Sequence, residues 1–311
     1  MEYSGLTIKY PVNRPLTDLD RERQLHQKRK LEVPLIYQLG VIQVDEAGLE
    51  LVDKYYALKG AMTTVMLVPV AMVLLFLGAV TGFSLTTPGR MVQDWPVLLA
   101  MYGMLAPVLW VMNWGFRKES FAYTHYPIRL DRITRMVHVF RLNGTVLSVP
   151  WDDIFFCTDT GQGGAWNIRG HVLAEDRVTV LETFALSPTA GKTAHHIMLS
   201  FWEMVRGYME DGPQAAIALA QVLLPIEKER ESFAFGFHRM HAVASGESTP
   251  LVLVWGFISA VFAPGRWLAM RTSKIPQWPA EVAATFGKAG TPERCPPAAV
   301  GKSGERSPLR T

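Results

Sequence analysis

An α+β membrane protein is the fold class this sequence predicts: a transmembrane helical hairpin joined to a cytoplasmic, antiparallel β-rich domain closed by helices. Three observations lead there. Two uncharged runs stand in tandem, "AMTTVMLVPVAMVLLFLGAVTGF" (61–83) and "WPVLLAMYGMLAPVLWVMNWGF" (95–116). Short β-rich runs punctuated by turn signals follow them from 117 onward. An apolar stripe at helical spacing, Ile197, Phe201, Met204 or Val205 and Tyr208, then closes that series.

The spans are argued from length and from their flanks. At 1.5 Å per residue the run 61–83 extends about 35 Å, enough for a hydrocarbon core of about 30 Å. Pro69 and Gly78 weaken a soluble helix, but both are tolerated in a bilayer. Trp95 opens the second run and Trp110 and Trp114 close it, which suits the aromatic belts at membrane interfaces. Lys28, Arg29, Lys30, Lys54 and Lys59 precede the first span, and Arg117 and Lys118 follow the second, whereas the connecting "SLTTPGRMVQD" holds only Arg90. The positive-inside rule therefore puts both flanks in the cytoplasm. The first 30 residues contain no apolar signal-peptide core, so the first span is expected to act as its own uncleaved insertion signal.

A third apolar segment, "PLVLVWGFISAVFAPGRWLAM" (250–270), has a shorter uncharged portion. Pro264, Gly265 and Arg266 are expected to interrupt it. Both a third crossing and a non-crossing helix at the interface or against the other spans are open, and the non-crossing segment is favoured.

The remaining segments are read in order. Residues 1–60 form a cytoplasmic arm and a β-hairpin. Within them "DLDRERQLHQKRKLE" reads as a solvated helix or arm, and "LIYQLGVIQVDEAGLEL" (35–51) alternates around Glu46-Ala47-Gly48 as a hairpin. Residues 52–60 lead helically into the first span. The domain at 117–245 carries a strand, a turn at 131–134, a second strand, an Asn143-Gly144 turn of type I′, and a third strand. "WNIRGHVLAE" and "DRVTVLETFAL" add two more strands joined near Glu175-Asp176, and "PQAAIALAQVLL" (213–224) adds an Ala-rich helix. The tail at 273–311 is rich in Pro, Gly, Ser and charge and is expected to be disordered, although Ile275 and Trp278 can pack near the membrane.

The pattern "I-x-L-D-R…V-x-V-x-R-x-N-G-x-V…V-P-W-D-D-I" resembles pleckstrin-homology-like domains attached to transmembrane hairpins in bacterial membrane proteins. The resemblance covers roughly 117–210. It implies that Pro150-Trp151-Asp152-Asp153-Ile154 marks the passage from one sheet to the other. The whole layout is similar to an uncharacterised proteobacterial family, a domain of unknown function, often encoded beside type VI secretion toxins. That likeness implies a multi-pass protein of the bacterial inner membrane with a role near secreted toxins, and it carries over no catalytic residue.

Composition and motifs argue against chemistry. Charged residues are 19% of the 311, below the roughly 25% of soluble domains, and the net charge of +3 is too small for a nucleic-acid partner. The two cysteines, Cys157 and Cys295, have no paired spacing and no nearby ligand cluster, and read as free thiols. His195 and His196 are helix neighbours about 100° apart, and His238 and His241 share a helix face without a third ligand. "GQGG" (161–164) lacks the context of a phosphate loop and reads as a flexible loop tip. Asp152 and Asp153 are expected on opposite faces of a strand, and Ser148 and Ser200 lack a nucleophile elbow. No catalytic, cofactor-binding or metal residue is assigned, and no cofactor is called for. The expected partners are the lipid bilayer and a protein, a toxin or secretion component. The function reads as a non-enzymatic inner-membrane binding protein, with immunity as the specific form. The alternative is a membrane-bound lipid-active enzyme or transporter component, which would ordinarily place ionisable residues inside the spans.

Overall fold

The structure, a computed structural model, describes residues 10–36, 39–160, 166–190, 194–220, 223–226, 229–241 and 249–284. In chain order the elements are β1 (Arg14–Pro15), α1 (Asp18–Glu22), β2 (Gln24–Leu25), β3 (Val41–Val44), β4 (Gly48–Leu51), α2 (Ala61–Thr86), α3 (Arg90–Glu119) and β5 (Ile128–Asp131). There follow β6 (Met136–Phe140), β7 (Val146–Pro150), β8 (Ile154–Thr160), β9 (Trp166–Leu173), β10 (Thr179–Ala190), α4 (His195–Glu210) and α5 (Gln214–Leu219). The last are α6 (Phe233–His241), α7 (Thr249–Thr272) and α8 (Ala280–Ala284). These elements fall into two units. One is β-rich, built from residues 1–56, 125–229 and 276–311; the other is helical, built from 57–124 and 230–275. The arm and the domain expected to be separate, 1–60 and 117–245, thus contribute to one β-rich unit, and α6 belongs with the helical one.

Two five-stranded antiparallel sheets make the β-rich unit, one in the order β1-β10-β9-β8-β2 and one in the order β3-β4-β5-β6-β7. Alternation in the strands puts Leu49, Leu51, Ile128, Leu130, Val137 and Val139 out of solvent, all at most 1% exposed. The chain passes between sheets at 150–154, as the resemblance implies, but Trp151–Asp153 form a 3-10 turn instead of a strand. That turn drives Trp151 inward, where it stacks on Trp202 of α4 at 5.8 Å and lies 4.9 Å from Phe156. Gly170 makes room for this aromatic core, because a Cβ there would sit 2.4 Å from the Phe184 ring. Met198, Phe201, Val205 and Tyr208 deliver the buried stripe of α4, whereas Ile197 is only half-buried.

Several local expectations need correction. The Asn143-Gly144 turn is not type I′: Gly144 alone takes positive φ, at 85°, while the Asn143 side chain accepts the Thr145 N–H at 3.0 Å. That side-chain bond holds Asn143 out of the left-handed region and leaves Gly144 to supply it. The charge-rich arm is not one solvated helix. Only Asp18–Glu22 is helical, closed by a Thr17–Asp20 capping box, and its neighbours Arg14–Pro15 and Gln24–Leu25 add edge strands to the first sheet. The Ala-rich helix is confined to Gln214–Leu219. Trp278 packs on Phe140 of β6 at 5.8 Å between ring centroids and donates to Glu50 at 3.2 Å, so the first part of the tail belongs to the β-rich unit. The loop 161–165 and the tail from 285 lie outside the described residues.

In the helical unit, α2 and α3 run beyond the expected spans and leave only 87–89 as the connection. Polar residues of the expected loop stay helical because they find partners nearby: Arg90 pairs with Asp94 at 3.3 Å, and Ser84 donates to Asp94 at 2.7 Å. The third apolar segment also departs from expectation. Pro264, Gly265 and Arg266 do not interrupt it, and α7 is continuous from Thr249 to Thr272. Arg266 is tolerated because it is 1% exposed and forms a bidentate ion pair with Glu231, while also donating to the carbonyls of Lys59 and Ala57. Gly236 faces Arg266 and Gly256 faces His241, so α6 and α7 run antiparallel and the start of α6 is pinned beside the end of α7.

Close approach of α2 and α7 depends on Gly265. A Cβ at this position would lie 1.9 Å from Thr64 Oγ1 and 3.0 Å from the Thr64 backbone nitrogen. Gly265→Ala is expected to destabilise the helical unit by about 1–3 kcal/mol, as overpacking does. Thermal unfolding in detergent followed by helical circular dichroism measures this, and adding Thr64→Ala should recover part of the loss. An unchanged midpoint for Gly265→Ala would mean the two helices are not in contact there.

Candidate functional site

Two regions concentrate polar chemistry, one in each unit. At the base of the helical unit, Glu119 from the end of α3 caps the start of α2. Its Oε1 accepts the Gly60 N–H at 2.8 Å, and its Oε2 accepts both the N–H and the hydroxyl of Thr63 at 2.7 Å. These N–H groups have no partner within their own helix, and a carboxylate complements the helix N-terminal charge. Lys59 answers from the other side, donating to the Glu119 carbonyl at 2.7 Å and the Tyr123 carbonyl at 2.8 Å. Ser273, just past α7, donates to the same Glu119 carbonyl at 3.3 Å. The arrangement satisfies the backbone groups at the helix ends. Beyond this base, α2, α3 and 252–272 are each long and apolar enough to cross a membrane, and α2 and α3 are only 6% buried over their apolar windows.

The second region lies on the face of the first sheet that the arm covers. β1 pairs at one edge of that sheet and β2 at the other, so the intervening residues must cross the whole face and lay α1 over it. Cross-strand register brings Cys157 beside Arg169, and His171 beside Thr183. Asp20 of α1 descends onto them. Its Oδ2 accepts Arg14 at 2.7 Å and the Thr17 N–H at 2.9 Å, while Oδ1 faces His171 Nε2 at 4.0 Å. Cys157 Sγ meets the same Nε2 at 3.4 Å, and His171 Nδ1 is bonded to the Thr183 hydroxyl at 2.8 Å. Burial pushes the Cys157 thiol up to about 12, with the Asp20 charge adding to it. Burial also pulls His171 down to about 4, against the opposing pull of Asp20. The thiol is therefore protonated and unreactive as it stands, and the imidazole is neutral.

Of the residues weighed from the sequence, Cys157 lies in this cluster, and the others lie elsewhere and do not converge. Asp152 sits in the 3-10 turn and forms a two-bond ion pair with Arg135, both bonds 2.7 Å, while Lys28 approaches at 3.2 Å. Those bonds hold its carboxyl down at about 2, so it is a fixed ionic tie. His195 lies against Trp166 at 4.0 Å between centroids, and Ser200 donates back to the His196 carbonyl within α4. His241 stacks on Phe237, four residues earlier in α6. Ser148 does gain a histidine partner, His138 Nδ1 at 2.8 Å, as part of a polar row Glu50–Arg129–His138–Ser148 across four strands. Cys157 is a buried free thiol, and Cys295 lies outside the described residues. Sequence reading missed the Asp20–Cys157–His171 cluster, because its members come from three elements and share no local spacing.

Residues 106–289 match the sequence pattern of a family of unknown function, DUF6708. The match runs over more than half of the chain, and the chain belongs to this family. No curated protein and no solved structure matches it.

Proposed function

We propose that this chain is a membrane-anchored binding protein of a bacterial inner membrane, with its β-rich unit in the cytoplasm, that acts by association with another protein. The observation that carries the reading is the pair α2 and α3, whose apolar side chains, among them Leu75, Met104 and Trp110, are largely exposed while polar groups gather at the helix ends. Exposed apolar faces of this size require lipid or a partner. Lys59, Arg117 and Lys118 lie at one end of the pair, which favours a cytoplasmic base. The pinning of the start of α6 beside the end of α7 supports a hairpin that leaves and returns at one level, in place of a third crossing. Two antiparallel sheets closed by α4 are compatible with a pleckstrin-homology-like module. The resemblance to a family encoded beside type VI toxins makes a neighbouring toxin the first partner to test, with immunity as the role.

The experiment co-expresses the chain with the product of the adjacent toxin gene in a susceptible bacterium and tests co-purification from detergent-solubilised membranes. Association predicts protection and co-purification, both retained by His195→Ala and Asp153→Ala. A detoxifying enzyme would lose orders of magnitude in rate when its general base is removed. Release of the chain by alkaline extraction would overturn the anchor, and absence of both protection and binding would overturn immunity.

A further inference from the structure

We propose that Asp20, Cys157 and His171 form a zinc-binding site that fastens the N-terminal arm to the first sheet. The three donor atoms lie within 4.8 Å of one another, on three buried residues. What separates a coordination site from an ordinary polar contact is where each group has spent its other bonding capacity. Asp20 has committed Oδ2 to Arg14 and Thr17 and turns Oδ1 toward His171. His171 has committed Nδ1 to the Thr183 hydroxyl, which fixes the ring and aims Nε2 at the other two donors. A histidine ligand whose second nitrogen is held by a polar neighbour is the usual arrangement around bound metals.

The distances fit. Zinc–sulfur and zinc–nitrogen bonds of about 2.3 and 2.0 Å at a tetrahedral angle place sulfur and nitrogen about 3.5 Å apart. Cys157 Sγ and His171 Nε2 stand 3.4 Å apart. The Nε2 to Oδ1 separation of 4.0 Å is wider than the roughly 3.3 Å of a formed site, and a small rotation of the Asp20 carboxyl closes it. The donor set, one sulfur, one nitrogen and one oxygen, suits zinc and not the all-oxygen preference of magnesium or calcium. A thiolate and a carboxylate would balance the charge of the ion. Binding must displace the thiol proton, so metal binding weakens as pH falls.

A Cys–His–Asp hydrolase would look different. There the carboxylate orients one ring nitrogen while an accessible thiol meets the other. Here thiol and carboxylate converge on the same nitrogen, and Cys157 has no exposure to solvent.

The test uses the full chain in detergent micelles, stripped with a chelator and reloaded with cobalt(II) or zinc. With only two cysteines in the chain, Cys295→Ser leaves Cys157 as the sole thiol. The expected result is a thiolate-to-cobalt charge-transfer band in the intact chain and in Cys295→Ser. Its intensity should saturate at one ion per chain. The band should be absent in Cys157→Ser, and zinc should raise the melting midpoint of the intact chain but not of His171→Gln. Where Cys157→Ser does not fold, the spectrum of Cys295→Ser decides by itself. No band in Cys295→Ser, or a band that survives Cys157→Ser, overturns the site.

Discussion

Trp151→Ala is expected to lower the stability of the β-rich unit by about 3–5 kcal/mol, the usual cost of emptying a large buried aromatic site. The indole has no solvent exposure, packs against Phe156 and Trp202, and donates its N–H to Glu210 at 2.8 Å. Truncation therefore opens a cavity and removes a donor from a half-buried carboxylate that Arg135 and Lys28 also hold. Hydrogen exchange of β7, β8 and α4 in the detergent-solubilised chain reads the loss directly. Trp151→Phe, which refills most of the volume but not the hydrogen bond, should fall between the two. If Trp151→Ala left exchange unchanged while abolishing binding to a partner, Trp151 would be a contact residue and the packing described above would be wrong.

Removing the carboxylate of Glu231 should be comparably costly in the helical unit. Its side chain is 2% exposed and that of Arg266 is 1% exposed, so Glu231→Ala takes the balancing charge from a guanidinium with no access to water. Breaking a buried pair from one side costs about 3–5 kcal/mol, whereas replacing both partners by apolar groups of similar volume is often neutral. Glu231→Leu combined with Arg266→Met is thus expected to restore much of what Glu231→Ala loses. Thermal melting and exchange in α6 and α7 measure both. Equal loss in the single and double variants would mean that the ion pair is not what joins these helices.

These two sites differ in how far the sequence announces them. Trp151 sits in a β-rich pattern that promises burial, and the promise holds even though the local backbone is a 3-10 turn and not a strand. Arg266 is misleading for the same reason that makes it informative. A charge beside Pro264 and Gly265 reads as the end of an apolar helix until Glu231, far away in the chain, is seen to neutralise it. The hairpins at 41–51 and 128–140 are legible because Leu49-Glu50-Leu51, Ile128-Arg129-Leu130 and Val137-His138-Val139 alternate apolar and polar residues and the turns are short. The edge strands β1 and β2, two residues each, have no periodicity to read, and their pairing is decided by tertiary context. The cluster of Asp20, Cys157 and His171 was illegible in a stronger sense. Only the register of β8 against β9, and the path of the arm over both, brings the three together.

The pairing of β4 with β5 has a consequence for how the molecule is made. Leu51 lies opposite Ile128, and all of α2 and α3 is synthesised between them. The β3–β4 hairpin leaves the ribosome first, with Val41, Val44, Leu49 and Leu51 in need of cover, and cannot complete its sheet until both apolar helices have been dealt with. Nascent chains arrested before residue 128 therefore carry an unpaired strand edge, the kind of surface that recruits chaperones or aggregates. Nor can proteolysis at one point release an intact β-rich fragment, because the chain enters and re-enters that unit on both sides of the helices. A version without the apolar helices has to be built by excision, rejoining the chain across both helical segments, 57–124 and 230–275, so that Trp278 is kept.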